Sequence, residues 1–363
     1  MPHMLPPGPH RTFSRRAFAA FLAAAGALPA SAKDKARAKP AAAGGDRPYA
    51  LRDDAMRWAD EVAERRGLDP QWTRLAVGQA VFLRQVPRLM LPPARGMAKN
   101  WRVYRSRFID AARIGAGVRF WQRNRDTLAR AQAEFGVPPE IIVGIIGVET
   151  IYGQNMGNFR VIDALATLSF DFPREHPRAA ERQAYFNGEL EQFLSLCART
   201  DRAPTQPLGS YAGAMGLPQF MPSSWIKYAI DYDGDGTIDL WRSEADAIGS
   251  VANYFKGYGW QPGLPTHYPV HLAPEADMDT LLAPDILPSF TPQRFMDLGA
   301  VLGADALAHP GPLALIELQN GGAEPSYVAG TENFYVITRY NWSSYYAMAV
   351  IELGQAVASA LNP

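Results

Sequence analysis

Residues 137–153 form the segment that most strongly constrains the fold of this chain. Pro138 and Pro139 suit the first turn of a helix. Proline has no backbone N–H, and the N–H groups of that turn have no acceptor within the helix. Gly153 suits the left-handed residue that follows a helix. The sequence therefore predicts a helix from about Pro139 to Tyr152.

One carboxylate interrupts the apolar face of that helix. Glu149 follows Ile142, Ile145 and Ile146 by seven, four and three residues, so all four share one stripe. Burial of this face disfavours the charged carboxylate and raises its pKa, as a proton donor near neutral pH requires. Glu149 is therefore the candidate catalytic residue. The alternative is a glutamate at the edge of the stripe that pairs with an arginine.

The first 32 residues have the pattern of a cleaved export signal. Arg15 and Arg16 precede a short apolar run, Ala17 to Leu28, and residues 30–32 form a small-residue cleavage site. The run is too short and alanine-rich for a typical membrane span, with an uncleaved anchor as the alternative. The arginine pair fits a twin-arginine signal, and an ordinary secretion signal fits equally. No cysteine lies at the predicted cleavage site to carry a lipid anchor, so we expect a soluble periplasmic product.

The charge balance argues against nucleic acid as a partner. The chain has 36 basic and 36 acidic residues, and removal of residues 1–32 leaves 33 basic residues. Such a balance does not support binding to nucleic acid through bulk charge. The single cysteine, Cys197, lies at helical spacing from Leu190, Phe193 and Leu194, so we expect a small buried hydrophobe.

The pattern of apolar residues, prolines and glycines predicts an α+β protein that is mainly helical. The predicted regions are an export signal (1–32), a disordered linker (33–48), a helical region (49–135), a candidate catalytic core (136–260), a small antiparallel β region (261–335) and a C-terminal segment that packs back on the core (336–363). Two strand-like runs support the β region, Leu313 to Leu318 and Phe334 to Ile337. The last helix is predicted over Tyr345 to Leu361. Three histidines, His176, His267 and His309, are interpreted as surface-loop residues.

Residues 210–225 combine glycines with polar groups at fixed offsets and predict a binding loop. Ser210 and Gln219 are candidates to orient a catalytic acid or to hold the amide and hydroxyl groups of a sugar. Met215 and Phe220 offer apolar surface to a ligand. The alternative is a tight turn whose glycines serve only its geometry.

Residues 231–242 match the opening of an EF-hand calcium loop. Its oxygen ligands at positions one, three, five and nine are Asp231, Asp233, Asp235 and Asp239. Gly236 occupies position six, as the sharp turn of such a loop requires. Position twelve is Arg242 instead of the usual glutamate, so the carboxylate that closes the loop must come later in the chain.

Together these segments resemble the lytic murein transglycosylase B family, whose members have a lysozyme-like core. The resemblance spans roughly residues 50–360, and its motifs are residues 137–149, 160–170, 210–224, 246–255 and 333–341. It implies cleavage of the β-1,4 bond between N-acetylmuramic acid and N-acetylglucosamine in peptidoglycan, with 1,6-anhydro-N-acetylmuramic acid as the product. A hydrolytic muramidase and a non-catalytic murein-binding scaffold are the competing readings.

The resemblance also implies roles for individual residues. Glu149 matches the single catalytic acid and base, and Ser210 and Gln219 match polar residues near it. The positions that match the saccharide groove are Tyr104, Tyr254, Tyr340, Asn341 and Tyr346. Core packing is the alternative for the tyrosines. Arg174 matches a basic residue that meets the stem peptide or the lactyl group, although residues 175–180 look like an insertion that separates it from Arg182.

For the calcium loop, the resemblance implies a lengthened loop that Asp246 closes. The predicted ligands of a structural Ca²⁺ are therefore Asp231, Asp233, Asp235, Thr237 and Asp246. The alternative for Asp246 is a capping box with Ser243 at the start of a helix.

Most glycosidases use two carboxylates, yet a second acid is hard to nominate in this sequence. Asp163 and Asp171 are the nearest downstream candidates, and each also fits a helix or turn position. The resemblance implies a route with one acid. Glu149 protonates the leaving oxygen, the 2-acetamido group assists departure, and Glu149 then deprotonates the muramyl O6 hydroxyl that attacks the anomeric carbon.

Overall fold

Helices form most of the chain in the computed structural model, which describes residues 47–92 and 99–361. The predicted export signal lies outside the described residues, as does the predicted linker up to residue 46. The N-terminal helices are a 3-10 turn (Tyr49–Leu51), α1 (Asp53–Arg66), α2 (Pro70–Gly78), α3 (Gln85–Leu89), α4 (Trp101–Arg105), α5 (Ala111–Arg123) and α6 (Arg125–Phe135). The side chains of Asp69, Asn100 and Asp110 cap α2, α4 and α5 by accepting backbone N–H groups in the first turn.

The central part of the chain carries five further helices and a short two-stranded sheet. These elements are α7 (Pro139–Thr150), β1 (Phe159–Arg160), α8 (Val161–Phe170), α9 (Ala179–Arg199), β2 (Leu208–Gly209), α10 (Pro222–Tyr228) and α11 (Glu244–Gly257). Strands β1 and β2 pair antiparallel. Helix α6 ends at Gly136, which adopts the left-handed conformation with a φ of 72° and lets the chain turn into α7.

The predicted β region forms a four-stranded antiparallel sheet in the order β4-β3-β6-β5. Its elements are β3 (His267–Leu272), α12 (Met278–Leu282), α13 (Pro292–Asp297), β4 (Ala300–Leu302), α14 (Ala304–Leu307), β5 (Ala314–Asn320) and β6 (Ala323–Gly330). The predicted strand over Leu313 to Leu318 is present as β5. The sheet and its short helices enclose a small hydrophobic core of their own, which includes Leu281, Phe295 and Leu313.

The chain ends in two helices, α15 (Glu332–Thr338) and α16 (Ser344–Leu361). The prediction of a strand over Phe334 to Ile337 is wrong, because this run lies inside α15. The hydroxyl of Thr331 accepts the N–H of Asn333 and starts the helix, and Phe334 and Ile337 are buried on one helical face. A short apolar run does not distinguish a strand from a buried helix, and here the N-cap decides.

A single large hydrophobic core joins the N-terminal helices, the central helices and α16. Helix α16 packs along α7, and α5 and α6 pack on the same helix. Cys197 is buried and free, as the sequence predicts. The division into six sequence regions stays a prediction, although the four-stranded sheet has its own smaller core.

Two histidines differ from the surface-loop interpretation. His267 is the first residue of strand β3, where it pairs with Gly330, and it is partly buried. His309 is buried, and its ring nitrogens contact the Tyr268 hydroxyl at 3.2 Å and the Glu332 carboxylate at 3.0 Å. This contact joins the loop after α14 to β3 and to the first turn of α15. A lone histidine beside Pro310 gives no sequence signal of partners that lie 41 and 23 residues away.

Across residues 47–92 and 99–361, no single helix combines the length and apolar composition needed to cross a membrane. By those two criteria alone, one bent pair passes, Arg125–Phe135 with Pro139–Thr150, whose axes meet at 115°.

Candidate active site

Helix α7 is the buried centre of the candidate site. Ile142, Ile145 and Ile146 are fully buried, which confirms the predicted burial of the stripe that carries Glu149. The helix ends at Thr150, two residues earlier than predicted. Ile151 already adopts the left-handed conformation, with a φ of 53°. That conformation is strained for a β-branched side chain and places the strain directly after the catalytic candidate.

The carboxyl group of Glu149 is held by a tyrosine. The hydroxyl of Tyr346 donates a hydrogen bond of 2.5 Å to Glu149 Oε1. Burial raises the pKa of Glu149 to about 7, and the Tyr346 hydrogen bond opposes that rise by stabilising the charged form. No arginine of the described residues lies within ion-pair distance of Glu149. The geometry therefore favours a proton donor over a paired surface glutamate.

Two glycines bring the helix of Tyr346 close to the helix of Glu149. A Cβ on Gly144 would lie 2.2 Å from the backbone oxygen of Val350, and a Cβ on Gly354 would lie 2.0 Å from the backbone oxygen of Glu140. Helices α7 and α16 therefore run antiparallel at a separation that only glycine permits at these two positions. In this register the next pair along the two helices is Glu149 and Tyr346.

The predicted binding loop docks onto the end of α7. The hydroxyl of Thr150 donates to the backbone oxygen of Leu217 at 2.9 Å and also accepts the N–H of Gly153 at 3.0 Å. The hydroxyl of Tyr340 donates to the backbone oxygen of Pro218 at 2.5 Å. The loop is thereby fixed to the turn after Glu149 and to α15. No spacing in the sequence identifies Thr150 as this link.

Ser210 and Gln219 stabilise the loop itself. The hydroxyl of Ser210 accepts the N–H groups of Ala212 and Ala214, at 3.2 and 3.0 Å. Gln219 has a φ of 50°, and its side-chain amide donates to the backbone oxygens of Gly216 and Met156. The Ser210 hydroxyl keeps its own proton to donate. Both side chains therefore hold the backbone of the loop in place, whether or not they also contact a ligand.

The two apolar residues of the loop face inward. Met215 and Phe220 are both buried in the main core. Phe220 packs against Tyr254 and Tyr340, with ring centroids 5.6 and 5.9 Å apart. Met215 and Phe220 therefore pack in the core beneath the site and do not present exposed apolar surface to a ligand.

Three predicted groove tyrosines form a ladder that leads away from Glu149. Tyr346 stacks on Tyr340 with centroids 6.4 Å apart and an interplanar angle of 14°, and Tyr340 lies 4.8 Å from Tyr254. Tyr346 and Tyr254 are buried, so core packing explains most of their surface, whereas Tyr340 is partly exposed. Tyr104 is also partly exposed, and its pKa is raised first by desolvation and second by the charge of Glu149. Tyr340 and Tyr104 are therefore the rings of this set with surface to offer a sugar.

Asn341 and the two arginines complete the set of predicted residues. Asn341 is buried in the turn between α15 and α16. Arg174 is exposed in the segment before α9, whereas Arg182 is buried on α9 with its guanidinium over the rings of Tyr185 and Phe186. Burial lowers the pKa of Arg182 to about 10. Residues 175–180 thus separate an exposed arginine, Arg174, from a buried one, Arg182.

The candidate calcium loop brings three carboxylates together. One oxygen from each of Asp231, Asp233 and Asp246 lies within 4.8 Å of the others. The predicted ligands Asp235 and Thr237 are not in this group, and one carboxylate oxygen of Asp235 accepts both the N–H and the hydroxyl of Thr237. The three clustered carboxylates are hard oxygen donors of the kind that Ca²⁺ prefers, so the residues present fit this ion.

Asp246 closes the loop from the first turn of α11. Its two carboxylate oxygens accept the N–H groups of Tyr232 and Asp239, each at 2.8 Å. Burial raises its pKa, a consequence of placing a carboxylate inside the protein without a cationic partner. The hydroxyl of Ser243 caps α11 by accepting the N–H of Asp246. The capping interaction uses the backbone of Asp246, which leaves its carboxylate facing the loop.

Comparison with known proteins links this geometry to a family. The chain matches the model of the transglycosylase SLT domain over residues 52–355. It is 43% identical over 333 residues to the membrane-bound lytic murein transglycosylase B of Escherichia coli, a match that covers 87% of this chain and 85% of that protein.

Solved structures agree with this match. An Escherichia coli lytic transglycosylase in complex with calcium has a TM-score of 0.74 at 42% identity, and the match covers 87% of this chain and 96% of that one. The Pseudomonas aeruginosa protein SltB3 in complex with NAG-anhNAM-pentapeptide has a TM-score of 0.68 at 27% identity, covering 83% of this chain and 79% of that one.

Proposed function

This chain belongs to the transglycosylase SLT family, and we infer from that premise that it is a lytic transglycosylase acting on peptidoglycan. Its fold is the lysozyme-like fold of its structural neighbours. The single observation that carries the mechanism is the carboxyl of Glu149, whose burial raises its pKa to about 7 and which accepts a hydrogen bond from Tyr346.

We propose that Glu149 acts first as the acid and then as the base. With a pKa of about 7, roughly half of the Glu149 carboxyl groups carry a proton at neutral pH and can donate it to the glycosidic oxygen. The 2-acetamido oxygen of N-acetylmuramic acid assists departure of the leaving sugar. The ionised Glu149 then removes the proton of the muramyl O6 hydroxyl, and O6 attacks the anomeric carbon. The hydrogen bond from Tyr346 stabilises the ionised form between these two steps.

The positions of the other nominated acids support a mechanism with one carboxyl group. Asp163 accepts the N–H of Val81 and forms an ion pair with Arg160. Asp171 forms an ion pair with Arg52. Both carboxylates therefore hold the N-terminal region to α8, which leaves the 2-acetamido group of the substrate as the assisting nucleophile.

We further propose that the partly exposed rings of Tyr340 and Tyr104 contact the sugars of the glycan strand, since pyranose C–H patches stack on aromatic faces. Ser210 and Gln219 serve the same site through the loop that they stabilise, and Arg174 contributes a positive charge at its edge. The wall polymer lies outside the cytoplasm, so the proposed location is the periplasm, reached by means of the predicted export signal.

The products of murein digestion test this function. We expect the wild-type protein to release muropeptides that end in 1,6-anhydro-N-acetylmuramic acid, because O6 attacks in place of water. Mass spectrometry distinguishes these products, which are lighter by one water than the products of hydrolysis. Reducing-end N-acetylmuramic acid as the main product would identify a muramidase and contradict the proposal.

We propose a structural role for calcium at Asp231, Asp233 and Asp246, which form the only such carboxylate cluster within the described residues. A bound cation would offset the mutual repulsion of these three groups and hold the connection between α10 and α11. The hydrogen bonds of these carboxylates come from residues 232–243, whereas that of the Glu149 carboxyl group comes from Tyr346, so the ion would stabilise the fold without joining the reaction.

Removal of calcium should lower the melting temperature more than it lowers activity at a permissive temperature. An ion present at about 100 times its dissociation constant stabilises the folded state by about 2.7 kcal/mol. The first measurement is thermal unfolding of the protein with calcium and with a chelator. The second is the rate of murein digestion in the same two conditions, at a temperature where both samples are folded. Asp233→Asn is the matched control, because its melting temperature should no longer respond to calcium. An unchanged melting temperature of the wild type would count against the site.

A further inference from the structure

A surface strip of aromatic and cationic side chains continues the tyrosine ladder beyond the site described above. We term it the cationic aromatic strip, and its members are Lys227, Tyr258, Tyr335, Arg339 and Trp342. Lys227 is exposed, and the other four are partly exposed. The strip brings together residues from α10, from the end of α11 and from α15, with the turn that follows α15.

Arg339 lies at the centre of the strip. Its guanidinium lies 4.9 Å from the ring centroid of Trp342 and 5.7 Å from those of Tyr335 and Tyr258. One of its nitrogens donates a long hydrogen bond of 3.4 Å to the Tyr335 hydroxyl. A guanidinium has five N–H donors in a planar fork, so most of this fork is available to a ligand.

The strip carries positive charge without a neutralising acid. Lys227 places its ammonium 6.0 Å from the ring centroid of Tyr258, the same ring that Arg339 faces. Across the residues that the structure describes, neither Arg339 nor Lys227 has a carboxylate within ion-pair distance. Arg52 and Arg160, which are also partly buried, each form an ion pair with an aspartate.

The strip is continuous with the Glu149 site. Tyr258 lies 4.5 Å from Tyr254 between ring centroids, and Tyr254 is the last ring of the ladder that begins at Tyr346. The hydroxyl of Tyr254 also donates to the backbone oxygen of Arg339 at 2.7 Å, which fixes the position of that residue. Tyr254 itself is buried, and on the surface the strip adjoins the site because Arg339 directly precedes Tyr340, the partly exposed ring that stacks on Tyr346.

Stacking alone does not account for this arrangement. Rings that only cover one another need no cation, and the Arg339 guanidinium keeps N–H donors beyond its one bond to Tyr335. The guanidinium fork matches the two oxygens of a carboxylate. In murein the carboxylates belong to the peptide stems, whereas the glycan hydroxyls and acetamido groups are neutral.

We propose that Arg339, with Lys227 beside it, binds a carboxylate of a peptide stem on the murein strand held in the Glu149 site. This inference rests on the proposed function, since it takes murein as the ligand. It assigns the strip a role in recognition of stem-bearing strands, separate from the chemistry at Glu149.

The test compares two ligands on a protein that does not consume them. The first ligand is soluble murein glycan strands with their peptide stems. The second is the same strands after an amidase has removed the stems and the lactyl carboxylates that it frees have been converted to neutral methylamides. Each is titrated into the Glu149→Gln protein. Adding Arg339→Met should weaken binding of the stem-bearing strands by about tenfold and weaken binding of the stem-free strands much less. Arg339→Lys should fall between, because it keeps the charge and loses the fork. The difference between the ligands should shrink as salt rises.

Arg57→Met is the matched control, since Arg57 is an exposed arginine of α1 and its removal changes the net charge equally. Equal losses on both ligands, or no loss on either, would overturn the inference, as would failure of the Glu149→Gln protein to bind stem-bearing strands. Failure of the proposed function has a different signature, the absence of anhydro products from wild-type digestion. Melting temperatures of all variants identify any that fail to fold.

Discussion

Glu149→Gln should reduce lysis of murein by about 1000-fold or more, while the protein stays folded. A glutamine amide cannot donate a proton to the leaving oxygen or remove one from O6, so both proposed steps fail. The substitution keeps the shape of the side chain, and the Tyr346 hydroxyl can donate to the amide oxygen as it donates to Glu149 Oε1. The measurement is the rate of release of soluble muropeptides from purified sacculi, with thermal unfolding in parallel.

The matched control for this substitution is Glu275→Gln. Glu275 is an exposed glutamate of the β region, so the same chemical change there should leave the rate of murein digestion at the wild-type value. Lysis by the Glu149→Gln protein at a rate close to wild type would contradict a role for Glu149 as the sole acid and base. Loss of activity together with loss of the folded state would instead indicate a structural role for this carboxyl group.

The sequence predicts the helix that carries Glu149 well because its signals are local. Pro139 fixes the first turn, and the spacing of the isoleucines fixes which face is buried. The hydrogen-bond partner of Glu149 has no such local signal. Tyr346 lies 197 residues away, and no spacing rule connects the two, so only the family resemblance drew attention to that tyrosine.

Two errors of sequence reasoning have a physical cause in tertiary structure. The run from Phe334 to Ile337 is apolar and β-branched enough for a strand, but the N-cap at Thr331 and burial on one face make it a helix. The sequence predicts a helix that ends at Tyr152, because Gly153 after it can adopt the left-handed conformation without strain. The chain instead turns at Ile151, at a position that local preferences disfavour, and the Thr150 contact with Leu217 helps to hold this turn in place.

The EF-hand motif predicts only part of the candidate calcium site. The first positions follow the EF-hand spacing, and the structure brings Asp231 and Asp233 together. Closure by Asp246 depends on where α11 begins, which the spacing of the motif does not contain. The structure places that carboxylate against the backbone of Tyr232 and Asp239, so its place in the loop follows from the packing of the helix.

The contact between α7 and α16 should tolerate no side chain at Gly144. Gly144→Ala would place a methyl group 2.2 Å from the backbone oxygen of Val350, and a backbone atom cannot move aside as a flexible side chain can. The two helices must separate, and we expect the free energy of unfolding to fall by about 2 kcal/mol. Separation also withdraws Tyr346 from Glu149, so kcat should fall even at temperatures where the variant is folded.

Gly188→Ala provides the matched control, because Gly188 lies within α9 and a Cβ there meets no atom within 4 Å. Alanine is the better helix former, so this variant should gain about 0.5–1 kcal/mol of stability and keep wild-type activity. Thermal unfolding of the two variants beside the wild type measures the difference, and murein digestion measures its effect on the site. If Gly144→Ala unfolds at the temperature of Gly188→Ala, the close approach of α7 and α16 does not constrain the fold. If it unfolds earlier but keeps full kcat, Tyr346 does not need this approach to hold the Glu149 carboxyl.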